Sequence, residues 1–171
     1  GLVPVYRWVV ERYRNEGVDF DAVCTLFPVC PLIGRDDFEA SYSIFCRHEG
    51  KLPLYTVTPY PVPVEWAYHR EDDGRLIPCD TRKFATRSQD IATAYYECGP
   101  ISWFSPQILQ TLENGPNEGF VSYVLPRSRA LDVDNLEDWS FLETVYRGLN
   151  SPPRLDGQGR AAPEDVRADR K

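Results

Sequence analysis

The sequence predicts an α/β fold, a sheet flanked by helices. Three observations carry that expectation. Apolar runs of strand length alternate with amphipathic stretches of helical spacing along residues 1–150. The run at residues 22–27 is short and largely apolar, as suits a buried parallel strand. Helix-start signals, Ser105-Pro106 and Asn135 with Asp138, stand where the amphipathic stretches begin. A chain of 171 residues is long enough for one domain with a real core.

The elements follow in order. Val5, Trp8, Val9 and Tyr13 recur at helical spacing and predict a helix over residues 4–15, closed by Asn15-Glu16-Gly17. The strand at 22–27 is stopped by Pro28 and Pro31. Residues 36–48 read as a helix with Phe38, Tyr42 and Phe45 on one face, and residues 52–58 as the next strand. Three prolines between 59 and 63 break the pattern. Residues 64–68 and 75–77 flank Asp72-Asp73-Gly74, a hairpin signal that predicts an arm over about 60–80, outside the α/β alternation. Residues 95–104 form another strand. At Ser105-Pro106 a hydroxyl supplies an acceptor for a free N–H, and Pro takes a position that needs no donor; that helix runs to about Glu113. Residues 120–125 are the last strand. Asn135 caps the final helix, on which Leu136, Trp139, Leu142, Val145 and Leu149 are expected to form a buried face. Residues 151–171, rich in Pro, Gly and charge, are expected to form a disordered tail.

Composition excludes several classes. With 19 Lys/Arg against 26 Asp/Glu the chain carries −7, and no basic stripe interleaves with aromatics, so nucleic acid is not an expected partner. The five cysteines make no Cys-x-x-Cys pair and do not cluster with His48 or His69, which argues against zinc. Their odd number favours free thiols in a reducing, cytoplasmic compartment. No run is apolar and long enough to cross a bilayer.

Three segments could carry chemistry. Asp132 and Asp134 alternate between a strand and a helix start, where open α/β sheets bind ligands. Paired oxygen donors suit Mg²⁺ and phosphate chemistry, and Asp at a helix N-terminus equally serves capping. The turn around Phe27 and Pro28 leaves a strand at the same kind of place, as a ligand loop or a Pro-shaped turn. In Thr86-Arg87-Ser88-Gln89-Asp90, Arg87 could clamp a carboxylate bidentately, with Ser88 and Gln89 as hydroxyl and amide partners; a solvated loop reads the same way.

Taken in order, these segments resemble a known pattern. A Leu-(aromatic)-Pro-x-x-Pro turn at Leu26 to Pro31 precedes Thr-Arg-Ser-Gln-Asp, then Tyr95, Gly99, Leu125-Pro126-Arg127 and Asp-x-Asp-x-x-x-Asp-Trp. This is similar to the acylneuraminate cytidylyltransferase family, and within it to the enzymes that make CMP-pseudaminic acid. Val57-Thr58-Pro59-Tyr60-Pro61-Val62-Pro63 resembles that subgroup too. The resemblance covers residues 1 to about 149. It implies a Rossmann-like nucleotidyltransferase (nucleotide-diphospho-sugar transferase) three-layer fold with a β-hairpin arm. It also implies transfer of CMP from CTP to a nonulosonic acid, with Mg²⁺ as cofactor and a homodimer as the expected assembly. By resemblance, Asp132 and Asp134 are the catalytic metal-binding acids; Arg87, Ser88, Gln89, Tyr95, Phe27 and Pro28 match positions around the sugar acid.

Two departures are visible. The family's basic, glycine-containing CTP loop with its Arg and Lys-Asn pair has no counterpart among the 171 residues, and there is no Met at any position. The expectation is therefore a domain lacking its N-terminal βα units and inactive on CTP by itself. Where sialic-acid members carry Gln this chain has Phe27, as pseudaminic-type members have an aromatic residue, while Val29 and Cys30 replace small polar residues. The competing expectations are a non-catalytic remnant or binding module, and a GT-A glycosyltransferase with its own Asp-x-Asp.

Overall fold

The computed structural model describes residues 1–81, 86–113 and 119–151. The expected tail, from residue 152 onward, lies outside them. The elements in chain order are α1 (Val3–Asn15), β1 (Val23–Leu26), α2 (Arg35–Arg47), β2 (Leu54–Pro59), β3 (Tyr68–Arg70), β4 (Leu76–Pro78), β5 (Tyr95–Phe104), α3 (Pro106–Thr111), β6 (Val121–Val124) and α4 (Leu136–Asn150). The chain divides into two units, Gly1–Val133 and Asp134–Lys171.

The first unit is built on a mixed sheet ordered β1-β5-β2-β6. β2 and β6 are parallel, from Leu54 opposite Val121 to Val57 opposite Val124. β5 runs antiparallel to both β1 and β2. The parallel ladder expected for residues 22–27 is therefore an antiparallel one, with Val23 opposite Phe104 and Leu26 opposite Ile101. An apolar run reports burial, not the direction of the neighbouring strand, and β1 is itself only half-buried with Leu26 exposed. Because β1, β2 and β6 share a direction that β5 opposes, the C-terminal ends of the first three and the start of β5 meet at one edge of the sheet.

The ladder between β2 and β5 is interrupted. Tyr55 faces Ser102, but Val57 faces Glu97, so β5 bulges through residues 98–101. Thr56, fully buried, bridges the gap: its hydroxyl donates to the Ile101 carbonyl and accepts from the Ile101 N–H at 3.2 Å. Thr58 donates to the Leu125 carbonyl at 2.9 Å. These bonds satisfy polar groups that the bulge would otherwise strand inside the sheet.

One core cluster joins Val3 and Val10 of α1 to Phe104, Leu109 and Leu112, with Tyr55 stacked on Phe120 at 4.2 Å between centroids. The inward face of α1 is thus Val3, Tyr6 and Val10, not the stripe Val5, Trp8, Val9 and Tyr13, which is exposed, Trp8 by 65%. Both sets have helical spacing, so periodicity identifies the helix without choosing its inner face. The Arg7 guanidinium donates to the Leu109 and Leu112 carbonyls and so caps the end of α3 with a cation.

On α2 the buried positions are Asp37, Ser41 and Phe45. Of the expected face, Phe45 is buried, Phe38 half-buried and Tyr42 exposed, because two polar side chains with specific partners occupy the inner positions. Ser41 accepts from Trp103 Nε1 at 2.9 Å, and Tyr42 packs on the same indole at 4.8 Å.

The arm is present. β3 and β4 pair antiparallel around Asp72-Asp73-Gly74, with Gly74 at φ +90° and the Asp73 carboxylate accepting from the Arg75 N–H at 3.1 Å. The first strand is shorter than expected, residues 64–66 forming a 3-10 turn instead. Tyr68, Leu76 and Ile77 of the arm are exposed.

In the second unit the described structure is α4. Asn135 Oδ1 accepts from the Glu137 and Asp138 N–H groups at 2.8 and 3.1 Å, and Asp138 returns the bond to the Asn135 N–H at 3.1 Å, the capping box expected from the sequence. The expected buried face does not form. Leu142 is buried and Val145 half-buried, while Leu136, Trp139 and Leu149 are exposed, Leu136 by 85%. The spread of apolar residues around α4 exceeds the width of a single covered stripe.

Candidate functional site

The sheet edge defined by the ends of β1, β2 and β6 gathers most of the residues singled out from the sequence. Phe27 and Pro28 follow β1; the Phe27 N–H donates to the Pro100 carbonyl at 3.2 Å, which extends the ladder into the β5 bulge. Gly99, at φ +77°, is the reason the bulge works. A Cβ placed on Gly99 would stand 2.3 Å from Cζ of the Phe27 ring, so the aromatic face lies directly on the glycine backbone. Phe27 is thereby held as a wall of the turn. Its carbonyl accepts from the Cys30 thiol at 3.0 Å, and Pro28 is exposed beside it.

After β2, residues 60–63 face residues 91–94 across a cleft of about 140 Å³, with Ser88 on its wall. The Tyr60 N–H donates to the Ala94 carbonyl at 3.0 Å, and the Tyr60 and Tyr96 rings pack at 4.9 Å. Tyr95 opens β5 opposite Pro59 and is exposed. Arg87 precedes the 3-10 turn Ser88–Asp90, is exposed, and has no ion-pair partner among the described residues. Gln89 sits exposed in that turn. Of Arg87, Ser88 and Gln89, Ser88 alone lines the cleft.

β6 leads through a turn at residues 127–129 to Asp132. Leu125 is fully buried and Ala130 nearly so, in a cluster with Cys98. Asp132 is exposed, and its Oδ1 accepts from the Val133 N–H at 2.9 Å. Burial pushes the Cys98 thiol up to about 11, its own backbone N–H opposing, with the Glu97 and Asp132 charges adding to the rise. Ala130, two residues before Asp132, thus packs against the β5 bulge that also carries Gly99. Asp134 belongs to the second unit. Its N–H donates to Asp138 Oδ2 at 3.0 Å, while the side-chain capping bonds are made by Asn135 and Asp138. The capping alternative for the Asp134 carboxylate is therefore not what the helix uses.

Asp132 and Asp134 offer hard oxygen donors of the kind that Mg²⁺ takes. Both carboxylates are exposed and neither has an ion-pair partner among the described residues, which fits a hard cation that keeps several waters and completes its shell with substrate oxygens. No group of three or more His, Cys, Asp or Glu side chains with metal-site geometry occurs among the described residues.

One feature of this edge escaped the sequence reading. Asp37, 3% exposed at the first turn of α2, accepts from the Gly34 N–H at 2.9 Å, from the Tyr123 hydroxyl at 2.7 Å and from Arg129 Nη1 at 2.9 and 2.7 Å. Burial opposes its ionisation, but the Gly34 N–H, the Tyr123 hydroxyl and the Arg129 guanidinium together outweigh it and hold Asp37 below its ordinary value. The one sequence signal was an acid in the first turn of a helix; nothing pointed to Arg129 as its partner.

No helix among the described residues is long and apolar enough to cross a membrane. No protein-family model matches the chain. Two proteins named pseudaminic acid cytidylyltransferase are similar to it. That of Campylobacter jejuni subsp. jejuni serotype O:2 is 24% identical over 144 residues, which covers 81% of this chain and 59% of the relative. That of serotype O:23/36 is 23% identical over 144 residues, with the same coverage of 81% and 59%. The chain spans about 59% of the length of these curated relatives, and the similarity, at modest identity, supports a relationship to cytidylyltransferases.

Proposed function

We propose that this chain is the part of a CMP-nonulosonic acid cytidylyltransferase that carries the sugar-acid pocket and the metal-binding acids, on a Rossmann-like nucleotidyltransferase fold. The observation that carries the reading is the meeting of Phe27, Tyr95, the Ser88 cleft and the Asp132 turn at one sheet edge, from segments far apart in sequence. In the reaction, the anomeric hydroxyl of a pseudaminic- or sialic-type acid attacks the α-phosphorus of CTP, and pyrophosphate leaves. Arg87 faces the sugar carboxylate, with Ser88 and Gln89 as polar partners; Phe27, Pro28 and Tyr95 form apolar walls. Asp132 and Asp134 hold Mg²⁺. The chemistry a bound Mg²⁺ supplies is neutralisation and orientation of the phosphates. The exposed apolar side chains of the β3-β4 arm support a homodimer.

The test is a kinetic comparison on the complete reading frame that encodes these residues, with CTP and candidate nonulosonic acids. Arg87→Ala is expected to raise the KM for the sugar acid about 10–100-fold, the loss of a charge-assisted pair worth roughly 1.5–3 kcal/mol, and to leave the KM for CTP within about twofold. An equal rise in both constants removes Arg87 from the carboxylate.

A further inference from the structure

Resting on the metal assignment just made, we propose that Asp37, Arg129 and Tyr123 form a clamp that positions the metal-binding carboxylate of Asp132. The chain between β6 and Asp132 is held at few points. The Leu125 N–H is bonded to the Val57 carbonyl at 2.8 Å, a turn runs from the Pro126 carbonyl to the Arg129 N–H at 2.9 Å, and Ala130 packs in the Cys98 cluster. The Arg129 side chain is what fixes the direction of that turn. It reaches across to α2, and one nitrogen, Nη1, meets both oxygens of a carboxylate that is itself pinned by the α2 N-terminus and by β6. Asp132 follows three residues later.

An ion pair with one buried and one half-buried partner is not the cheapest way to hold a loop, since apolar packing of the same volume is often as stable. What the pair adds is direction, because three donors from three different segments must point at one carboxylate for its burial to be tolerated. Loosening the turn therefore spreads the positions of Asp132 without unfolding the sheet. A ligand that must meet an ion within tenths of an ångström binds less well when its orientation is left free.

The experiment is Mn²⁺ titration of the 171-residue chain, read as selective NMR line broadening of the Val133 amide, next to Asp132. It is run at a temperature where circular dichroism shows every variant fully folded, so that a global loss of stability does not move the readout. Asp132→Ala abolishes the broadening in the metal reading. Arg129→Met is expected to weaken the Mn²⁺ affinity roughly three- to tenfold, the lower part of the range for groups that orient metal ligands. Arg129→Lys, which keeps the charge, is expected to restore it to within about twofold. Should Arg129→Met not fold, Tyr123→Phe decides, since it deletes a single hydrogen bond; a twofold or greater weakening is expected. Broadening that is absent from the wild type, or that survives Asp132→Ala, overturns the metal assignment and this inference with it. Broadening lost in Asp132→Ala but unchanged in the Arg129 and Tyr123 variants overturns the clamp alone.

Discussion

Replacing Gly99 with alanine probes the contact that sets the shape of the candidate site. An added Cβ would stand 2.3 Å from Cζ and 2.4 Å from Cε2 of Phe27, distances that non-bonded carbons do not adopt. Phe27 cannot retreat by a small shift, because its N–H is tied to the Pro100 carbonyl at 3.2 Å and its carbonyl to the Cys30 thiol at 3.0 Å. The ring must leave its place. Two penalties add. A positive φ of +77° costs a non-glycine residue about 1–2 kcal/mol, and the overlap costs about 1–3 kcal/mol as overpacking. Phe27→Ala removes the second and keeps the first. In urea denaturation, Gly99→Ala is expected to cost about 2–5 kcal/mol in the wild type and about 1–2 kcal/mol in the Phe27→Ala background, a coupling of about 1–3 kcal/mol. A coupling below about 0.5 kcal/mol would refute the claim that the ring rests on the glycine backbone.

The clamp has a pH signature. Asp37 titrates lower when folded than unfolded, so its contribution to stability is complete above the unfolded value near 4 and is lost as pH falls through the folded value. Arg129→Met should therefore destabilise by about 3 kcal/mol at pH 7, measured by urea denaturation, and its gap from the wild type should narrow below about pH 4; a gap of constant size contradicts the pairing. At the start of α4, Asn135→Ala should cost about 1 kcal/mol of helix stability and Asp134→Ala less than about 0.5 kcal/mol, read from hydrogen exchange at residues 136–140. Equal losses would return Asp134 to a capping role.

The element order was legible because each signal is local. Ser105 and Asn135 mark helix starts by offering a side-chain oxygen to free N–H groups, and both do so in the structure, Ser105 to the Ile108 N–H at 3.4 Å and Asn135 to two donors. The 95–104 strand and the Asp72-Asp73-Gly74 turn stand where the sequence puts them. Facing was not legible. On α1 and α2 the apolar residues outnumber the positions that a sheet can cover, and the inner ones are chosen by partners distant in sequence: Leu109 and Leu112 for α1, Trp103 and Arg129 for α2.

The candidate site was half legible for the same reason. Residues 27, 95, 99 and 132 become neighbours of one edge only because β5 runs against β1 and β2 and then bulges between Glu97 and Ser102. No local pattern announces that bulge. Gly99 hints at it, since a glycine inside a strand marks a bulge or a close backbone approach. The structure supplies both at this position, with a positive φ and an aromatic ring on the missing side chain. The consequence reaches Asp132. The cluster that buries Cys98, on the same bulge, also buries Ala130, so the glycine contact on one side and the Asp37 clamp on the other act on the same short approach to that carboxylate. An Asp-x-Asp read from sequence says which atoms are available; the bulge and the clamp decide where the first of them stands.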